Sequence, residues 1–219
     1  MNTTQIIVFY SVIFILSYLF GSIPWAFIIG KVNGVDIRKC GSGNVGATNV
    51  TRTVGKYWGK LCFACDLLKG VIPVILVAKL SKVILPEISS DHINYGCMLA
   101  GFGSISGHVW TIFLKFKGGK GISTSAGVLL ALAPAPVLAC LICWVIIFKL
   151  SKMVSLASII AAALLPIFAV VFNLTLKNHN FFTTSTSILI FLIVIAIIAI
   201  AKHHSNIKRI INGTESKFK

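Results

Sequence analysis

Long apolar runs separated by short polar stretches occupy this chain from one end to the other. A helix needs about 20 such residues to cross a hydrocarbon core. Ile6–Ile29, Leu61–Ala78, Ile93–Leu114, Met153–Phe172 and Phe182–Ala201 read as spans of that kind. The run Ile122–Phe148 contains Pro134-Ala135-Pro136. A proline inside a helix removes a hydrogen bond and collides with the preceding turn. The pattern therefore favours two short helices folded at the prolines over one long tilted helix. The first run lacks a basic stretch before it and a small-residue cleavage site after it, and reads as a retained span rather than a signal peptide. No internal repeat is visible, and no matched pair of broken helices such as inverted-repeat transporters carry.

Basic residues decide the count. Lys31, Arg38, Lys39, Arg52, Lys56 and Lys60 follow the first span, Lys115, Lys117 and Lys120 the third, and Lys149 and Lys152 the proline-containing run. The tail adds Lys202, Lys208, Arg209, Lys217 and Lys219. With a turn at the prolines, every Lys and Arg except Lys69, Lys79, Lys82 and Lys177 falls on one side. Without it, the tail, Lys149 and Lys152 move to the other side. Cytoplasmic loops collect Lys and Arg. The chain is therefore predicted to be an all-α polytopic membrane protein, a single domain over 1–219. It has seven transmembrane helices, the N-terminus outside and the C-terminus cytoplasmic. The short arms of 122–148 would cross by local thinning, by snorkelling of Lys149 and Lys152, or by burial among neighbours.

Composition agrees. Of 219 residues, 57% are hydrophobic and 11% charged, against about 25% charged in soluble domains. The 20 Lys and Arg outnumber the 5 Asp and Glu, for a formal charge of +15. Positive-inside bias or a pocket for anions accounts for that excess; no soluble basic module is left to hold nucleic acid. Cys62, Cys65, Cys97, Cys140 and Cys143 lie in apolar runs, where cysteine acts as a small hydrophobe. The pairs Cys62/Cys65 and Cys140/Cys143 have ligand-like spacing, but no histidine or further thiol is near, so no metal is expected.

Three polar motifs carry the candidate chemistry. The loop from Asp36 to Arg52 holds Gly41, Ser42, Gly43, Asn44, Thr48, Asn49 and Arg52. Its glycines let backbone N–H groups converge on an anion, and Arg52 adds a planar fork for phosphate or carboxylate. A flexible polar loop would explain the glycines but not a lone arginine among uncharged donors. The second motif runs from His108 to Lys117-Gly118-Gly119-Lys120-Gly121 and opens directly into the Ile122 helix. Helix N-termini bind anions through unpaired N–H groups and the dipole. The spacing is not that of a P-loop; ordinary juxtamembrane lysines gripping lipid headgroups are the plainer reading. The third is the tail, where His203 and Asn206 share a face if the last helix runs on past the membrane. Alone, that segment reads as a snorkelling basic helix end. Glu215 reads as an anchor to a cation. Asp66 lies inside a span, where ionisable groups are usually paired; Lys69 or a motif lysine is the expected partner, with a general base the minor alternative.

These motifs, in this order, closely resemble the bacterial glycerol-3-phosphate acyltransferases that use acyl-phosphate as donor. The resemblance runs from Gly21-Ser22-Ile23-Pro24, through Gly41 to Asn49, Asp66-Leu67-Leu68-Lys69-Gly70 and Phe116 to Gly121, to Gly213-Thr214-Glu215. Thr111 departs from it, standing where the family usually has proline. Trp25-Ala26 replaces the commoner Phe-Gly. The resemblance implies a seven-helix enzyme of the bacterial inner membrane, with its site facing the cytoplasm and no cofactor. It implies transfer of a fatty acyl group to the 1-hydroxyl of sn-glycerol 3-phosphate, giving lysophosphatidic acid and phosphate. It further implies coupling to an enzyme that produces acyl-phosphate. Ser42, Arg52, Lys120, His203 and Asn206 become the catalytic polar residues, and Gly118 and Gly119 the phosphate-binding turn. Gly41, Gly43, Asn44, Thr48, Asn49, His108, Lys117 and Gly121 become substrate-binding positions, with Asp66, Lys69 and Glu215 structural.

Acyl-phosphate is already activated, so direct attack by the glycerol hydroxyl is expected, with Ser42 as a hydrogen-bond donor. No Gly-x-Ser-x-Gly elbow supports Ser42 as a nucleophile. The hydroxyl proton passes to His203 or to a substrate phosphate oxygen; both remain open. The competing classes are a transporter of phosphorylated metabolites and a non-catalytic subunit that binds anionic lipid.

Overall fold

The computed structural model describes residues 2–176 and 184–218. Lys177 and Lys219, counted above by side, and the start of the predicted span Phe182–Ala201 lie outside them. Among the described residues every regular element is helical. The chain forms two compact units, Met1–Leu132 and Ala133–Lys219.

The first unit contains α1 (Thr3–Gly21), α2 (Trp25–Val32), α3 (Ala47–Thr53), α4 (Lys56–Ile84), α5 (Ser90–Val109), a 3₁₀ turn (Ile112–Leu114) and α6 (Ile122–Leu132). The predicted continuous span Ile6–Ile29 is instead interrupted. Ser22 caps α1, and Pro24, at φ −90° and ψ 70°, lies outside the helical region and supplies no N–H. The interruption leaves two carbonyls for other groups. That of Ser22 accepts from Thr111 Oγ1 at 2.6 Å, and that of Ile23 from Lys69 Nζ at 2.9 Å. Helix α4 has 29 residues, about 43 Å at 1.5 Å per residue. It outreaches the hydrocarbon core and carries Lys56, Lys60, Lys79 and Lys82 in its end turns.

Helix α5 is the most enclosed candidate span and packs on α1, α4 and α6. Small residues permit the approach. A side chain at Gly107 would strike the carbonyl of Tyr18 in α1, and one at Gly127 in α6 would strike that of Leu67 in α4.

The second unit contains α7 (Pro134–Ser151), α8 (Val154–Thr175), α9 (Thr186–Ala201) and α10 (His204–Ile211). Helix α8 packs on α7, α9 and α10. The predicted break in the 122–148 run occurs: α6 ends at Leu132, Ala133 leaves the helical region at φ −147° and ψ 70°, and Pro134 begins α7, whose 18 residues are longer than the short arm expected. A missing N–H costs nothing at that first position.

Among the described residues, five helical segments are long and apolar enough to cross a membrane, or six if the bent pair α9 and α10 is one span. The predicted seven thus exceed this number by the short helix α6, whose 11 residues reach about 17 Å. The condition of one continuous last helix carrying His203 and Asn206 is not met, because α10 leaves α9 at 56°. The polar run Lys202-His203-His204-Ser205-Asn206 follows the wholly apolar face of α9, and the bend falls at its start. Ile7, Leu16, Ile75, Leu141, Ile142 and Ile197 remain exposed, as side chains facing lipid do.

Candidate active site

The loop between α2 and α3 is folded over its own apolar core. Ile37, Val45 and Val50 pack with Ala26, Ile29 and Cys62, flanked by Trp25, Phe27 and Trp58. Arg38 lies across the Phe27 ring at 4.6 Å and forms a bidentate pair with Asp36. That hydrogen-bonded guanidinium holds the Asp36 carboxyl down at about 2.

Asn49 organises the rest. Its Oδ1 accepts from the Ser42 N–H at 2.9 Å, and its Nδ2 donates to the carbonyls of Ile37 at 2.8 Å and Cys40 at 3.1 Å. The side chain is fully buried. Both amide donors of Asn49, which the motif suggested as a substrate ligand, have backbone partners here, so the side chain serves the frame of the loop. Gly41 at φ 59° and Gly43 at φ 68° take the left-handed turns that carry the chain around Ser42. The Ser42 hydroxyl accepts weakly from the Asn44 N–H at 3.4 Å, and Ser42 and Arg52 are exposed. Gly41, Gly43, Asn44 and Thr48 border the same rim, Arg52 standing in the last turn of α3.

The second motif doubles back on the end of α5. Lys115 and Phe116 adopt left-handed conformations at φ 53° and 61°, uncommon for residues with side chains. The Gly118 N–H then donates to the Val109 carbonyl and the Gly119 N–H to the His108 carbonyl, both at 3.1 Å. Both amides, expected to form the phosphate-binding turn, here close the turn onto the end of α5. Their lack of side chains has a packing reason. A Cβ at Gly118 would strike the His108 carbonyl, and one at Gly119 would strike His108 Nε2 and the Val45 carbonyl. Val45 belongs to the first loop, so the first and second motifs touch at Gly119. Lys117 is exposed and Lys120 half-buried, and Gly121 at φ 81° leads into the first turn of α6.

Beneath this contact lies a buried ionic cluster. Lys69 Nζ is 3.0 Å from Asp66 Oδ1, which is also 3.6 Å from His108 Nδ1, and all three side chains are almost wholly enclosed. The Asp66–Lys69 pairing expected for an intramembrane charge is present. His108, expected among the substrate-binding positions, faces Asp66 in this structure. The cavity beside it measures about 10 Å³ and is lined by Ser22, Asp66, Lys69 and Thr111 among others, room for at most one water. Two features escaped sequence reasoning, the role of Thr111 and the His108 partner. One signal for the second was available. His108 lies in the last turn of α5 and Asp66 inside α4, on which α5 packs, and a buried carboxylate needs donors.

In the second unit, Gly213 at φ 70° turns the chain back along α10, with the Thr214 N–H donating to the Arg209 carbonyl at 2.8 Å. Glu215 thereby accepts from Ser155 Oγ at 2.6 Å, Asn206 Nδ2 at 2.7 Å and Arg209 Nε at 2.7 Å. Burial pushes the Glu215 carboxyl up, but these hydrogen bonds and the Arg209 charge together hold it below its ordinary value. His203 is buried at the bend with Nδ1 2.8 Å from the Ala199 carbonyl. Asn206 and Glu215 are thus joined directly, and His203 stands in the turn that precedes α10.

Comparison with known proteins gives a consistent result. The glycerol-3-phosphate acyltransferase family profile matches residues 11–213. A glycerol-3-phosphate acyltransferase of Trichlorobacter lovleyi is 44% identical over 203 residues, 93% of this chain and 94% of its own. One of Bacillus subtilis is 40% identical over 210 residues, 95% and 97% of the two chains. The crystal structure of PlsY, an integral membrane glycerol 3-phosphate acyltransferase, superposes in its glycerol 3-phosphate form with a TM-score of 0.80 at 38% identity, covering 96% of each chain. Its lysophosphatidic acid form gives 0.77 at 37% identity, covering 96% of this chain and 95% of that one.

Proposed function

This chain belongs to the glycerol-3-phosphate acyltransferase family, and from that premise we propose the donor, the site and its sidedness. The protein is a membrane acyltransferase acting on glycerol 3-phosphate. The donor is acyl-phosphate. The 1-hydroxyl oxygen of sn-glycerol 3-phosphate attacks the acyl carbon, an ester C–O bond forms, and the C–O bond to phosphate breaks. Lysophosphatidic acid and inorganic phosphate leave, and the hydroxyl proton goes to His203 or to a phosphate oxygen.

Arg52 and Lys120 neutralise charge on the departing phosphate. Such preorganised donors are commonly the largest catalytic contribution, about 10²–10³-fold each. Ser42 donates a hydrogen bond, its backbone set by Asn49. His203 and Asn206 serve the same reaction, with Glu215 holding Asn206. Residues 1–219 act as one catalytic domain that crosses the bacterial inner membrane seven times, α6 included, with the N-terminus outside. The site faces the cytoplasm, where an enzyme producing acyl-phosphate supplies the donor. The observation that supports this reading is the contact between two motifs far apart in sequence, Val45 against Gly119, which joins the loop carrying Ser42 and Arg52 to the turn carrying Lys120.

The test is purified protein given acyl-phosphate and glycerol 3-phosphate, without acyl carrier protein or coenzyme A. Lysophosphatidic acid and phosphate should appear in equal amounts. Uptake of phosphorylated metabolites into vesicles with no lysophospholipid formed would instead establish a transporter.

A further inference from the structure

The enclosed cluster of Asp66, Lys69 and His108 joins the interruption of the first span to the second motif. Lys69 Nζ holds the Ile23 carbonyl at the interruption between α1 and α2 while pairing with Asp66. His108 presents Nδ1 to Asp66, and its opposite edge, Nε2, lies against Gly119. Its backbone carbonyl accepts the Gly119 N–H. Gly119 is thereby fixed between the His108 ring and the Val45 carbonyl, and Lys120 is the next residue.

A buried ion pair is a poor source of stability, because desolvation offsets the attraction. What it supplies is a fixed orientation. We infer that Asp66, acting through the His108 ring, is a positioning group for the Gly118-Gly119-Lys120 turn, and that Lys69 ties the same carboxylate to the interrupted first span. The inference rests on the acyltransfer reading for its kinetic consequence, though not for its structural one. A displacement of about 1 Å in catalytic positioning costs about 100-fold in rate. The cluster therefore acts on turnover, not on substrate affinity.

The experiment compares wild type, His108→Ala, His108→Asn, Asp66→Asn and the double variant Asp66→Asn/His108→Ala in detergent. The readouts are kcat, KM for glycerol 3-phosphate, and trypsin cleavage after Lys117 and Lys120. His108→Ala should lose about 100-fold in kcat, with KM within about threefold of wild type. It should expose the turn to trypsin about tenfold faster. His108→Asn, whose amide nitrogen stands near the place of Nδ1, should regain part of both losses.

The double variant should be no worse than the poorer single variant, as expected for residues acting in series. If Asp66→Asn fails to fold with Lys69 left uncompensated, Asp66→Asn/Lys69→Met replaces it. Multiplying effects, unchanged kcat, or a rise in KM alone overturns the inference. Trypsin sensitivity decides it even for a wild type that makes no lysophosphatidic acid, a result that would sink the acyltransfer reading separately.

Discussion

Asn49→Ala separates a framework residue from a substrate ligand. The substitution deletes one hydrogen bond from the Ser42 N–H and two to the carbonyls of Ile37 and Cys40. Each such bond contributes about 1 kcal/mol net, so the closed loop loses about 3 kcal/mol. At 1.4 kcal/mol per factor of ten, the open population of the loop rises about 100-fold. The apolar core beneath, from Ile37 to Val50, limits the opening to this segment.

Asn49→Asp keeps the Ser42 bond but sets a carboxylate oxygen against two carbonyl oxygens, and should lose at least as much. Trypsin cleavage after Arg38 and Lys39 reads the opening, and acyl transfer reads its consequence. Cleavage should rise about 100-fold, and kcat/KM should fall only as far as the closed population is lost. Activity and cleavage within about threefold of wild type would refute the framework role. A higher KM with unchanged cleavage would make Asn49 a ligand after all.

Two further outcomes follow from the same accounting of polar groups. Thr111→Val removes the donor to the buried Ser22 carbonyl and should lower stability by about 1–3 kcal/mol, whereas Thr111→Ser should not; thermal unfolding in detergent distinguishes them. Glu215 is held below its ordinary value of 4.5, so its stabilising contribution is complete above that value and disappears as the pH falls through the lower native one. Carboxypeptidase trimming of the tail should accelerate only in that acid window, and Glu215→Gln should trim fast at neutral pH.

The spans were legible because hydrocarbon admits little but uninterrupted apolar helix, and the fold within 122–148 because two prolines with one residue between them resist a continuous helix. Departures fall where partners decide. The interruption at Ser22-Ile23-Pro24 is sustained by Thr111, in the turn after α5, and by Lys69 on α4. The bend before α10 separates two helices that local spacing joined. Thr111, which departs from the family pattern, forms a tie that its position alone does not disclose.

Amino-acid order by itself determined that this is a helical membrane protein, which polar motifs carry its chemistry, and which family they resemble, because residue type and spacing are local properties. Tertiary structure decided which of those motif residues are exposed and which hold the frame. Asn49, His108, Gly118 and Gly119 have their donors or their space taken by neighbours distant in the chain. A polar group's availability depends on who else is within 3 Å, and that is a fact of packing.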